Sequence, residues 1–207
     1  MIELKNICKS FGNRTLFDNF SCVIEDGEFL GIKGKSGSGK STLLNIIGLL
    51  EKCDSGAIII DGEEINYKDK KKIKHLLKHK IGYLFQNFAL IDDYSVFNNL
   101  SIGLTDKSKK EKETMIRKVL NDLDLQIGLD TEVFKLSGGE QQRIAIARVI
   151  LQNKSIILAD EPTASVDPVN RDIILDILKK LNHAGKTIVL VSHDDYVIKQ
   201  ASRVVNL

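Results

Sequence analysis

The stretch GKSGSGKST, residues 34–42, constrains this chain more than any other. It fits the pattern Gly-x-x-x-x-Gly-Lys-Ser at Gly34, Gly39, Lys40 and Ser41. The apolar run FLGIK precedes it and STLLNIIGLL, with helical spacing, follows from Ser41. A strand, a glycine turn and a helix in that order make backbone N–H groups converge on phosphate oxygens at the helix's positive end. In such a loop Lys40 neutralises the outer phosphates and Ser41 ligates Mg²⁺. A plain flexible turn has no need of the flanking strand and helix.

Two further runs, SIILADE and TIVLVSH, are continuously apolar, as parallel strands covered on both faces are. Short strands are expected at 2–7 and 20–24, with EDGE as a turn; a strand lies in GAIIIDGEEI, with a turn at Asp61-Gly62, and another in KIGYLFQ, ending at Gln86. DIILDILKKLNHAG separates the last two buried strands as a helix stopped by Gly185. From 87 to 153 there is no convincing strand. Met115, Ile116, Val119, Leu120 and Leu123, then Ile144, Ala147, Ile150 and Leu151, fall at helical spacing. The chain therefore reads as one domain, an α/β core (1–86 and 154–207) interrupted by a helical insert (87–153).

Composition excludes several other classes. A 43% hydrophobic, 28% charged chain with net charge +2 is a globular protein without the strong positive charge of a nucleic-acid binder. Cys8, Cys22 and Cys53 are scattered and odd in number, which fits a reducing compartment and neither a disulfide framework nor a zinc site. The N-terminus MIELKNICKSFG has the charge pattern of no signal peptide, and no apolar run approaches the ~20 residues that span a bilayer. A soluble protein is expected, with any membrane role exercised through a partner.

Chemistry concentrates at strand ends. SIILADE finishes in Asp160 and Glu161; the first is placed to hold Mg²⁺ and the second to accept a proton from attacking water. A solvated strand end explains adjacent acids too, and the nearby phosphate loop favours the chemical reading. Gln86 and His193 each end a buried strand, where ligands bind α/β sheets. His75 and His79 stand four apart among lysines and without an acid, so a solvated helix face explains them and the run Lys68–Lys80.

With these elements in this order, LSGGEQQR (136–143) is similar to the signature motif of ABC transporter ATP-binding subunits, and the resemblance covers essentially the whole chain. It implies a P-loop NTPase α/β fold with a mostly parallel core sheet, an N-terminal antiparallel β subdomain and an inserted α-helical subdomain. It also implies an ATPase that uses ATP and Mg²⁺. Residue by residue, it makes Phe11 the adenine-stacking aromatic and Gly34, Lys35, Ser36, Gly37, Ser38, Gly39, Lys40, Ser41 and Thr42 the phosphate loop. It gives Mg²⁺ to Ser41, Gln86 and Asp160, and catalysis to Glu161 as base with His193, Gln86 and Lys40. ASVDP (164–168) resembles the D-loop, with Val166 in place of the more usual leucine and Asp167 assigned to the nucleotide site.

Two such subunits are expected to pack head to tail, so that Ser137, Gly138 and Gly139 hold the γ-phosphate of the partner's ATP. The further partner implied is a separate membrane permease, docked near Phe88 to Phe97, which puts the chain on the cytoplasmic face of the membrane. Nucleic acid is not expected. SGSGKSTLLNIIGLLEKCDSGAIIIDGEEI resembles ATPases of macrolide and peptide exporters, lipoprotein-release complexes and antimicrobial-peptide exporters. YLFQNFALIDDYSVFNNL looks most like subunits assigned to bacteriocin export. A chain ending at Leu207 leaves no room for the C-terminal regulatory domain of some importers. The rival readings are an actuator of a cell-wall regulator, built on the same motor, and a soluble DNA-repair or ribosome-associated ATPase, which would carry a coiled coil or a second cassette.

Overall fold

The computed structural model describes residues 1–164 and 166–207. Strands β1 (Ile2–Phe11) and β2 (Arg14–Ile24) form an antiparallel hairpin, longer than the two short strands read from the sequence. Apolar alternation fades at Lys9, which is nonetheless buried; it is neutralised by Glu51 at 2.5 Å instead of being replaced by an apolar side chain. The turn is Gly12-Asn13, with Gly12 at φ 58°, the conformation that a two-residue hairpin asks of glycine. Next come β3 (Phe29–Lys33), the phosphate loop and α1 (Lys40–Ile47). Then β4 (Ser55–Ile60) joins the other edge of β1, and β5 (Glu63–Glu64) turns back on it through Asp61-Gly62. These strands form an antiparallel sheet in the order β2-β1-β4-β5.

Helix α2 (Lys70–His79) is the lysine-rich run; it buries Ile73 and Leu76 and leaves His75 and His79 exposed, as a solvated face requires. Strand β6 (Ile81–Leu84) follows and stops two residues before Gln86, which sits in a turn. The insert contains α3 (Val96–Ser101), α4 (Lys109–Asp122), a short 3₁₀ turn (Val133–Lys135) and α5 (Gly138–Gln152). Its only extended pairing among the described residues is a bridge between Ser95 and Glu132. The chain returns through β7 (Ile156–Asp160), α6 (Pro168–His183), β8 (Thr187–Val191), α7 (Asp195–Ile198) and β9 (Arg203–Asn206).

The second sheet runs β6-β7-β8-β3-β9 and is parallel throughout. Its faces bury separate clusters, which is why the strands read as unbroken apolar runs. Leu158, Val189 and Val191 pack with α1 and the antiparallel sheet. Ile157, Ala159, Ile188 and Leu190 pack with Ile144, Ile146 and Leu175, so one core joins the sheet to the helical insert. All parallel strands then end on one edge, and the loops leaving that edge carry the site.

Candidate active site

The phosphate loop begins where β3 runs out of sheet partners and ends at Gly39, the N-cap of α1, at φ 97°. No side chain caps this helix, so its first N–H groups stay available to a phosphate. A Cβ on Gly39 would lie 3.0 Å from the Phe17 ring, so both conformation and space demand glycine. Lys40 is buried at 8% exposure, and its Nζ donates to the carbonyls of Gly34 (3.0 Å) and Lys35 (3.2 Å). It has no carboxylate partner among the described residues. Ser38 Oγ is buried with no hydrogen-bond partner, a polar atom left for something the loop would hold.

Across the loop, Ser41 Oγ donates to Asp160 Oδ1 at 2.9 Å, joining α1 to the end of β7. Burial pushes Asp160 above the ordinary carboxylate range; Glu161 adds to this, while the Ser41 hydroxyl and Lys40 oppose it. A cation beside Asp160 relieves that penalty. The Ser41 hydroxyl and the Gln86 amide line one cavity, and the Asp160 carboxylate reaches it through its bond with Ser41; all three are hard oxygen donors. No group of three or more acidic, His or Cys ligands exists among the described residues. That set fits Mg²⁺ held by one or two protein oxygens and completed by phosphates and water.

Glu161 follows with a left-handed backbone, φ 46°, unusual for a residue with a Cβ and of the kind that collects at active sites. Three groups from the end of β8 hold its carboxylate. Ser192 Oγ donates to Oε2 at 3.0 Å, while the His193 backbone N–H (3.0 Å) and ring Nδ1 (2.8 Å) meet Oε1. With its hydrogen on Nδ1, the ring donates to Oε1. Lys40, Ser41, Gln86, Glu161 and His193 all line one cavity of about 680 Å³. An adjoining cavity of about 280 Å³ is lined by Phe11, Arg14, Gly39 and Thr42 and shares Gly37, Lys40 and Ser41 with the first. Phe11 is 52% exposed there, with Lys9 Nζ 4.9 Å from its ring centroid.

Ser137, Gly138 and Gly139 line neither cavity. They open α5 on the surface, where Ser137 and Glu140 form a reciprocal cap: Ser137 N–H donates to Glu140 Oε2 (2.9 Å) and Glu140 N–H to Ser137 Oγ (3.4 Å). The Ser137 bonds hold Glu140 below the usual carboxylate range. Further along α5, Gln142 Nε2 donates to the Pro162 carbonyl (2.6 Å) and Arg143 to Asn170 Oδ1 (2.5 Å), tying this helix to the segment after Glu161. Asp167 caps α6, accepting from Val169 and Asn170 N–H groups at 3.0 Å; within 164–168, Ser165 lies outside the described residues.

A profile of the ABC transporter family matches residues 17–164. The chain belongs to the ABC transporter family. It is 44% identical over its whole length to the macrolide export ATP-binding/permease protein MacB of Campylobacter jejuni, spanning 33% of that protein. It is also 36% identical, over 94% of this chain and 88% of the relative, to the lipoprotein-releasing system ATP-binding protein LolD of Aquifex aeolicus. The dimeric structure of the bacterial ABC transporter cassette MJ0796 superposes with a TM-score of 0.92 at 38% identity, covering all of this chain and 94% of that one. MJ0796 has also been solved as a dimer in a post-hydrolysis state bound to ADP and Pi, with a TM-score of 0.91. The fold is thus that of an ABC ATPase cassette, a domain of a family of ATP-binding enzymes.

Two further participants belong to none of the sequence motifs. Ser192 precedes His193 and holds the same carboxylate; Arg14 shares the cavity with Phe11. Gly-Asn between two alternating runs was the available signal for the hairpin that carries Arg14.

Proposed function

We propose that this chain binds Mg²⁺-ATP with its base on Phe11 and its phosphates in the loop Gly34–Thr42, and hydrolyses it within a head-to-tail pair of copies. The meeting of Lys40, Ser41, Gln86, Glu161 and His193 in one cavity carries this reading. Lys40 and the N–H groups of the loop stabilise charge that spreads over the transferring phosphoryl group. Glu161, oriented by Ser192 and His193, takes the proton of the attacking water. Ser41, Asp160 and Gln86 would hold Mg²⁺, which when bound neutralises phosphate oxygens.

The exposed N-terminus of α5 lies outside the chain's own cavity, which supports a role for Ser137, Gly138 and Gly139 on the partner's γ-phosphate. Asp167 is proposed to act in the same assembly from its cap position. Core 1–86 and 154–207 and insert 87–153 are proposed as the two lobes that move against each other. The motor would drive a separate permease at the cytoplasmic face of a membrane; among the described residues no helix is long and apolar enough to cross one. Export of a bacteriocin-like peptide or a hydrophobic compound is the proposed task, supported by residues 83–100 and by the macrolide-export relative. Phosphate release from Mg²⁺-ATP by the chain co-purified with its membrane partner tests this. Release must vanish with Glu161→Gln, and recovery of no membrane protein, or unchanged release, refutes it.

A further inference from the structure

The hairpin that presents Phe11 brings a second side chain to the same cavity. Arg14 pairs directly with Phe11 across the β1–β2 register. Its Nη2 donates to the Gly37 carbonyl at 2.5 Å, from a strand to the middle of the phosphate loop. Gly37 lies at φ 78°, and a Cβ there would come within 3.3 Å of that nitrogen, so the loop leaves room for the guanidinium.

Arg14 is exposed, makes this one side-chain hydrogen bond and has no ion-pair partner among the described residues. No acidic residue lines its cavity, whose other walls are Phe11, Leu16, Gly37 and Gly39–Thr42. A guanidinium has five N–H donors in a fixed fork suited to phosphate, so a lone charge of this kind beside an uncapped helix N-terminus is arranged for an anion. Phe11 and the loop residues Gly37 and Gly39–Thr42 line this one cavity together with Arg14. A nucleotide spanning them passes its first phosphates beneath Arg14.

Building on the nucleotide reading above, we propose that Arg14 is a nucleotide-binding residue that contacts the α- and β-phosphates of ATP and ADP, exchanging its bond to Gly37 for bonds to phosphate oxygens. The α- and β-phosphates are common to both nucleotides, so the contact strengthens both alike and is indifferent to the γ-phosphate.

Calorimetric titration of the whole chain with Mg²⁺-ADP, and with ATP in the Glu161→Gln background, tests this. Arg14→Ala should raise both dissociation constants by the same factor, about tenfold or more for one charge-assisted contact. Arg14→Lys, which keeps charge without the fork, should fall between. The wild-type affinity for ADP should also weaken more steeply with added salt than that of Arg14→Ala. Arg14 is exposed, so the melting temperature without nucleotide checks that the variants fold. An ADP affinity within twofold of wild type, a loss confined to ATP, or tighter binding would each overturn the proposal. A wild-type chain that binds neither nucleotide would instead overturn the reading on which it rests, whereas wild-type binding lost in Lys40→Ala keeps that reading and isolates Arg14.

Discussion

Arg148→Met should uncouple nucleotide binding from hydrolysis. Phe88 and Ala89, just past Gln86, have left-handed backbones at φ 62° and 47°. For residues with a Cβ this costs about 1–2 kcal/mol each. Arg148 on α5 holds the segment in place, donating to the Phe88 carbonyl (2.9 Å) and the Ala89 carbonyl (2.6 Å). Two hydrogen bonds from a charged donor contribute about 3–6 kcal/mol together, enough to offset the strain. Methionine keeps the apolar stem and removes the head. About 2–4 kcal/mol of strain then relaxes against the bonds lost, so the net loss is about 1–2 kcal/mol. In a domain of this size that lowers the melting temperature by about 2–8 °C. The freed segment begins at Gln86, while Phe11 and the phosphate loop are untouched. ATP affinity should therefore stay within a few-fold while phosphate release falls at least tenfold. Denaturant unfolding, nucleotide titration and phosphate release on one preparation measure all three. A stability change below about 0.5 kcal/mol, or affinity falling in step with turnover, would refute the argument.

Lys40→Ala should lose nucleotide-dependent stabilisation, which for the wild type is about 2.7 kcal/mol at a hundredfold excess over Kd; thermal unfolding with and without Mg²⁺-ATP reads it. Asp160→Asn should melt higher than wild type at neutral pH without nucleotide. Its folded-state pKa is raised by burial, so ionisation as pH climbs through that value removes stability, and asparagine escapes the loss. The same variant should lose the extra stabilisation that Mg²⁺ adds to ATP; an intact Mg²⁺ response would count against the metal assignment. His193→Ala should slow phosphate release about a hundredfold with nearly unchanged ATP affinity. The ring is 69% exposed, so the nucleotide-free melting temperature should hardly move; a large drop would make it a structural histidine.

Much of this was legible in the chain because short-range patterns encode it. FLGIK-GKSGSGKST states a strand, a glycine turn and a helix in consecutive residues, and the buried strands of SIILADE and TIVLVSH announce a sheet covered on both faces. The hairpin runs beyond the strands expected at 2–7 and 20–24 because buried Lys9 breaks the apolar pattern, and that burial is made tolerable by Glu51, the Lys52 carbonyl and Asp54, 42 to 45 residues away. Gln86 lies two residues past the strand it was expected to end, since β6 stops pairing with β7 at Leu84. The roles of Arg14, Ser192 and Arg148 rest on contacts across 23, 31 and 60 residues, which no local periodicity records.

The central claim, that the glycine turn opening α5 completes a site on a second copy, is tested by the assembly state of Glu161→Gln with ATP. This variant keeps the carboxylate's shape and loses the base, so ATP should bind and remain. By light scattering it should be a monomer alone and a dimer with ATP. Adding Ser137→Arg should abolish that dimer while leaving ATP binding by the chain's own loop intact. A dimer that survives Ser137→Arg, or no dimer with ATP even at high protein concentration and low salt, would contradict the account.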